Sequence, residues 1–157
     1  MGLLTDTIFI RALKADDGLM AMLPAGDIYD NVADPDIDMA NVPVPYIIVN
    51  NDGGGNQQDT KDSEYESYED RVSISIRIVG RSRKELAQMS VRARRAVRDY
   101  MIAASRRIEA GEPQEGDELR PYDYTVSFSD VSFETDKPSC QQMLYFECIT
   151  QNEIFLT

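Results

Sequence analysis

A chain of 157 residues, 42% of them apolar, is long enough to bury one ordinary core and too apolar to be a disordered segment, so residues 1–157 read as a single domain. A net charge of −12 opposes a task built on gripping the nucleic-acid backbone, which needs a large basic footprint. The complete absence of histidine removes the usual serine and cysteine triads and the commonest zinc-binding spacings.

No apolar run approaches the roughly 18–20 residues of a membrane span. The opening Met1-Gly2-Leu3-Leu4-Thr5-Asp6 lacks the basic start of a secretory signal, and Asp6 stands where a myristoylation motif needs Ser or Thr. Residues 3–15 then predict a helix. Leu4, Ile8, Ala12 and Ala15 form one stripe, while Leu3, Ile10 and Leu13 form another on a different side. A helix apolar nearly all round is covered on more than one side, so the second stripe is expected to meet either the core or a neighbouring subunit. Asp16 and Asp17 cap a short second helix running to Leu23, which Pro24 and Gly26 end.

Ile28-Tyr29 suggests a short edge strand, and 34–45, with prolines at 35, 43 and 45, an irregular loop. Asp34, Asp36 and Asp38 have calcium-loop spacing, but Met39 and Pro45 occupy positions where that loop needs Gly and Glu, so no metal is assigned. Residues 46–50 read as a strand buried on both faces over Ile47, Ile48 and Val49. Residues 50–70 read as a long mobile loop, rich in glycine at Gly53, Gly54 and Gly55, with six acids from Asp52 to Glu69. The glycines do not make a phosphate loop, because no Gly-Lys-Ser/Thr and no helix follow.

Val72, Ile74, Ile76 and Ile78 alternate with polar residues, the signature of a strand with one buried face. A long helix follows from Ser82, whose Glu85 three residues on completes a capping box. Its core stripe is Leu86, Met89, Ala93, Val97, Tyr100, Ala104 and Ile108. Residues 111–121 form a polar acidic connection. Tyr124, Val126 and Phe128 alternate, and Val131 and Phe133 resume on shifted parity, which predicts a β-bulge near Ser129-Asp130. The last strand, with Leu144, Phe146 and Cys148, is partly apolar on both faces and therefore central. Cys140 and Cys148 lie on it about 26 Å apart if extended, too far for a disulfide, which needs Cα atoms within about 7 Å. The expected fold is α+β, a mostly antiparallel sheet of four to five strands with two main helices on one face.

Charge is spread very unevenly over these elements. Residues 81–110 hold nine basic and three acidic residues, against five and fifteen in 1–80 and two and ten in 111–157. On the outer side of the long helix Val91, Arg95, Arg98 and Ile102 fall together, flanked by Arg92, Arg94 and Arg106. Such a face is either solvated or a protein contact, with apolar centres among guanidiniums that grip carboxylates. The acidic segments 52–70 and 112–118 are natural complements, on the same chain or a neighbour. Nothing nominates a catalytic residue or a cofactor: the carboxylates lie among other acids in segments that read as solvated.

Four pieces, in order, carry a family resemblance. They are the helix with Leu3, Leu4, Ile8 and Leu13 followed by Ala15-Asp16-Asp17-Gly18-Leu19-Met20 and Leu23-Pro24; the Asp27-Ile28-Tyr29-Asp30 segment; Val42-Pro43-Val44-Pro45-Tyr46-Ile47-Ile48-Val49; and Asp70-Arg71-Val72-Ser73-Ile74-Ser75-Ile76 leading into the long helix. Together they span nearly the whole chain, and the pattern resembles the tail-completion, or tail-terminator, proteins of tailed phages and prophages. The resemblance implies a non-enzymatic virion protein, assembled in the bacterial host cytoplasm and located in the virion tail. It forms a ring, usually of six subunits, on the tail tube. Its partners are further copies of itself, the tail tube protein and the head–tail connector, with DNA passing through unbound. On this reading Val91, Arg92, Arg95, Arg98 and Ile102, with Leu3, Ile10 and Leu13, are expected at the subunit interface. Asp52, Gly54, Asp59, Asp62 and Glu64 are expected on a loop facing tube or lumen. An acidic lumen would repel DNA phosphates and let the strand slide. The alternatives are another neck or head-completion component, or a nucleic-acid-binding or regulatory module using the Arg-rich helix 82–109.

Overall fold

The computed structural model describes residues 5–23, 28–30, 43–56, 69–133 and 139–151. Two helices open the chain, α1 (Thr5–Lys14) and the single-turn α2 (Asp17–Met20), followed by strands β1 (Ile28–Asp30), β2 (Tyr46–Asn56) and β3 (Glu69–Gly80). The long helix α3 (Arg83–Glu109), a 3-10 turn at Asp117–Leu119, and strands β4 (Asp123–Phe128), β5 (Ser132–Phe133) and β6 (Cys140–Gln151) complete it. The fold is α+β. One sheet runs β1-β2-β3-β6-β4, with β5 continuing beside β6 beyond β4. Every pairing is antiparallel except β1 with β2.

Local sequence explains most of these boundaries. Asp16 caps α2 by accepting the Leu19 N–H at 3.1 Å. At the start of α3 the Ser82 hydroxyl accepts from the Glu85 N–H at 3.2 Å. The Glu85 carboxylate reaches back one residue further than a capping box requires, to the Arg81 N–H at 3.0 Å and the Arg81 guanidinium at 2.8 Å. That ion pair holds Glu85 below the usual carboxylate range and raises Arg81. The expected bulge after β4 is present: Phe128 pairs with Leu144 but Ser132 with Gln141, one more residue on the β4 side than on β6. Ser129 fills the gap, donating its N–H to the Met143 carbonyl and accepting the Met143 N–H on its hydroxyl, both at 3.0 Å.

The core lies between the sheet and α1 with α3. Val72, Ile74, Ile76 and Ile78 from β3, Ile47 and Val49 from β2, and Leu144, Phe146 and Cys148 from β6 meet Ile8, Phe9 and Leu13 of α1 and Leu86, Met89, Ala93 and Val97 of α3. Phe9 and Phe146 meet edge to face at 5.0 Å. Ile47, Ile48 and Val49 are all buried, as their unbroken apolar run implies, and β6 is central. The cysteines are free and buried, and burial pushes the Cys148 thiol up to about 12.

Three expectations need correction. The segment from 50 is not loop at its ends: β2 continues to Asn56 and β3 starts at Glu69, with Asn56 paired to Asp70. The glycines belong to a bulged strand. Register steps at Asp52, between the pairs Asn51–Ile74 and Gly53–Ser73, and Gly53 takes a φ of 95° while the Asn51 side chain accepts its N–H at 2.9 Å. A Cβ on Gly54 would stand 1.9 Å from the Arg71 carbonyl oxygen, so only glycine fits there. Second, β3 is not buried on one face alone, since Ser75 and Val79 on its other side are buried too. Third, Leu13 is fully buried in this chain's own core and Ile10 packs against it, so the second stripe of α1 faces inward. Its third member, Leu3, lies outside the described residues.

Candidate interaction surface

The helix layer is narrower than the sheet. An α-helix is about 10 Å across and neighbouring strands about 4.8 Å apart, so one helix shelters about two strands. Here α1 lies over β1, β2 and β3, and α3 over β3 and β6. Among the described residues no helix packs on β4 as α1 and α3 pack on the strands beside it, although side chains of α3 reach over it. The register shows the consequence. Val49, Ile76, Leu144 and Phe128 form one row across the sheet; the first three are at most 1% exposed and Phe128 is 59% exposed. In the next rows Val126 and Tyr124 are half-buried where Phe146 and Cys148 beside them are buried.

A groove of about 260 Å³ therefore runs between α3 and β4. Val91, Arg94, Arg95 and Arg98 form its helix wall, Tyr124 and Val126 its strand wall, and Phe146 its floor. It continues along α3 as a second hollow of about 490 Å³ past Ile102, Arg106 and Tyr122. Val91, Ile102, Tyr122, Phe128 and Phe133 are between 44% and 63% exposed, and all five lie on this side of the molecule or its β4–β5 edge. Contiguous apolar exposure beside a free strand edge marks an association surface more often than scattered single residues do.

Its charge is basic and largely available. Arg94 sits over the Phe128 ring at 5.6 Å, a cation–π contact that orders an exposed phenylalanine. Among the described residues Arg98 pairs with its exposed neighbour Asp99, at 3.1 Å, a contact of little energetic weight. Among the described residues Arg95 and Arg106 have no ion-pair or hydrogen-bond partner.

The residues expected at an interface separate into groups. Val91, Arg95, Arg98 and Ile102 do share one open face. Arg92 does not join it freely: its guanidinium lies against Gly18, where a Cβ would come within 1.5 Å, and is 3.7 Å from Asp16. Arg92 thus ties α3 to α2. Asp52 and Gly54 are exposed on the far half of β2, while Asp59, Asp62 and Glu64 lie outside the described residues.

The strand wall escaped the sequence. Tyr124, Val126 and Phe128 alternate as a core-facing strand should, and nothing local distinguishes an uncovered stripe from a covered one. The available signal was arithmetic: two substantial helices for a five-position sheet. Asp117 lies in a segment whose composition reads as solvated, and no sequence signal marks it out. It is wholly buried and accepts two bonds from Arg107 and one from the Gln114 N–H, each at 2.8 Å. Arg107 holds its carboxyl below the usual range, and Arg107 itself stacks 5.4 Å from the Tyr100 ring. Arg11 of α1 donates to the Glu115 carbonyl beside it.

Among the described residues no three His, Cys, Asp or Glu side chains converge as metal ligands, and no helix is long and apolar enough to cross a membrane. No family model matches the chain, and no curated protein matches it.

Proposed function

We propose that this protein is a structural subunit that assembles head to tail into a ring closing the end of a phage tail tube. In that role it ends tube growth and joins tail to head, with the tube protein and connector as its other partners. The observation that carries self-association is the open α3–β4 face, where exposed apolar side chains alternate with arginines on an otherwise acidic molecule. The tail-terminator assignment rests on the order and spacing of the four sequence pieces, with which the α+β architecture is compatible. A ring needs two different surfaces that fit each other, and a basic-apolar face on an acidic body supplies such a pair. Nucleic acid is the weaker fit, since phosphates have no use for the apolar residues interspersed with the arginines.

Light scattering coupled to size exclusion, at low and high salt, with imaging of any large species, tests this. A closed ring that dissociates as salt screens the charged contact is the expected result. A symmetric dimer, or salt-dependent DNA binding without self-association, would replace the proposal.

A further inference from the structure

The α3 face that carries Val91, Arg95, Arg98 and Ile102 has an acidic counterpart on the same described surface. The turn after α3, residues 112–118, holds Glu112, Glu115, Asp117 and Glu118 and no basic residue. Asp117 is buried against Arg107, but Glu112, Glu115 and Glu118 are exposed. Among the described residues their carboxylates have no ion-pair or hydrogen-bond partner. The turn is also fixed in shape. Arg107 clamps Asp117 with two bonds of 2.8 Å, the Glu112 N–H donates to the Arg107 carbonyl at 2.9 Å, and Arg11 of α1 donates to the Glu115 carbonyl. Gly116 takes a φ of 88°, and a Cβ there would stand 2.6 Å from the Arg11 guanidinium. Three exposed carboxylates are thus presented from an ordered turn, which lowers the ordering cost of a contact they make.

The turn does not meet these arginines in its own chain. Its anchor, Arg107, stands beyond Arg98 and Arg95 on α3, by about 14 and 18 Å along the axis at the rise of an α-helix. The 3-10 part of the turn packs on α1, α3 and β6, whereas Arg95 and Arg98 line the groove beside β4. No described ion pair joins the two. Each molecule therefore carries a basic-apolar helix face and a separate acidic turn, and can use both at once. A contact between them is heterologous, which generates rings when the rotation closes. Guanidinium forks suit carboxylate partners, and the opposed signs disfavour turn on turn and arginine face on arginine face.

We infer that the acidic turn 112–118 of one copy docks against the Arg95 and Arg98 face of α3 in a second copy of this chain. The inference rests on the self-assembly proposed above and names the two surfaces that meet. Its test is charge exchange, read by light scattering coupled to size exclusion at low salt. One variant carries Arg95→Glu and Arg98→Glu; the other carries Glu112→Lys, Glu115→Lys and Glu118→Lys. Each alone should lose the oligomer peak of the wild type, and an equimolar mixture should regain it, because each altered face then meets a turn of opposite sign. Circular dichroism and thermal melting establish that both variants fold. Where one does not, Glu115→Cys and Arg95→Cys, placed in separate chains, are joined with a bifunctional maleimide instead; the natural thiols are buried. Cross-linked heterodimer in the mixture, and none in either chain alone, supports the contact, and its absence from the mixture overturns it. A wild type that is monomeric at every concentration overturns both the ring and the turn contact. A wild type that assembles alongside a turn variant that also assembles, or an unrestored mixture, overturns the turn contact and leaves the ring.

Discussion

Arg107 and Arg95 stand on the same helix and serve opposite ends. Arg107 points toward the closed side of α3, where it clamps a fully buried Asp117 through two bonds of 2.8 Å and lies 5.4 Å from the Tyr100 ring. Arg95 points toward the open side, into a groove beside an uncovered strand, and has no partner among the described residues. On the closed side the geometry accounts for the charge: the guanidinium satisfies a carboxylate that burial would otherwise penalise. On the open side the exposed apolar groups are a solubility liability, and apart from Arg94 over the Phe128 ring the groove arginines have little to hold within the described fold. That contrast separates residues that hold this molecule together from residues on the outward side proposed for association.

Substitutions on either side should divide accordingly. The largest effect belongs to Leu13→Ala, which empties a fully buried site; a loss of about 3 kcal/mol is expected by denaturant unfolding. A loss below about 1 kcal/mol would return Leu13 to the surface, as the second α1 stripe in the sequence first allowed. Asp117→Asn comes next, costing about 2–3 kcal/mol because Arg107 loses its counter-charge. The sign with pH follows from the lowered carboxyl. Its stabilising effect is fully present above the ordinary value of 3.8 and is lost as pH falls through the lower folded value. Unfolding curves from neutral pH to below 3.8 should therefore fall more steeply in the wild type than in Asp117→Asn. Ser82→Ala removes one cap bond and should cost about 1 kcal/mol, read as a shift in melting temperature. The smallest effect on stability belongs to Arg95→Glu with Arg98→Glu, within about 0.5 kcal/mol of wild type, although this pair should abolish self-association.

The closed side was the more legible in sequence. Ser82 with Glu85 announced the start of α3, the Val72 to Ile78 alternation gave β3, and the parity change before Val131 gave the bulge, because each signal is local and set by backbone chemistry. The helix wall of the groove was legible for the same reason: Val91, Arg95, Arg98 and Ile102 share a face at helical spacing. The strand wall was not. Tyr124, Val126 and Phe128 look like core residues until one knows which strand stands last in the sheet and how far α3 reaches, and both are tertiary facts. Asp117 was hidden by its neighbours, since one buried acid among exposed ones leaves no mark on composition. The glycines at 53–55 misled in the other direction. They read as a loop, yet two of them permit a strand, Gly53 by its positive φ and Gly54 by its approach to Arg71.

The central claim is that the open side of α3 serves association and the closed side serves folding. Sedimentation velocity on three proteins at low salt tests it most directly: the wild type, Arg95→Glu with Arg98→Glu, and Asp117→Asn, each at a temperature where it is folded. The account predicts a multi-subunit particle for the wild type and for Asp117→Asn despite its lower melting temperature, and a monomer for the arginine variant with melting unchanged. An arginine variant that sediments with the wild-type mass would contradict it.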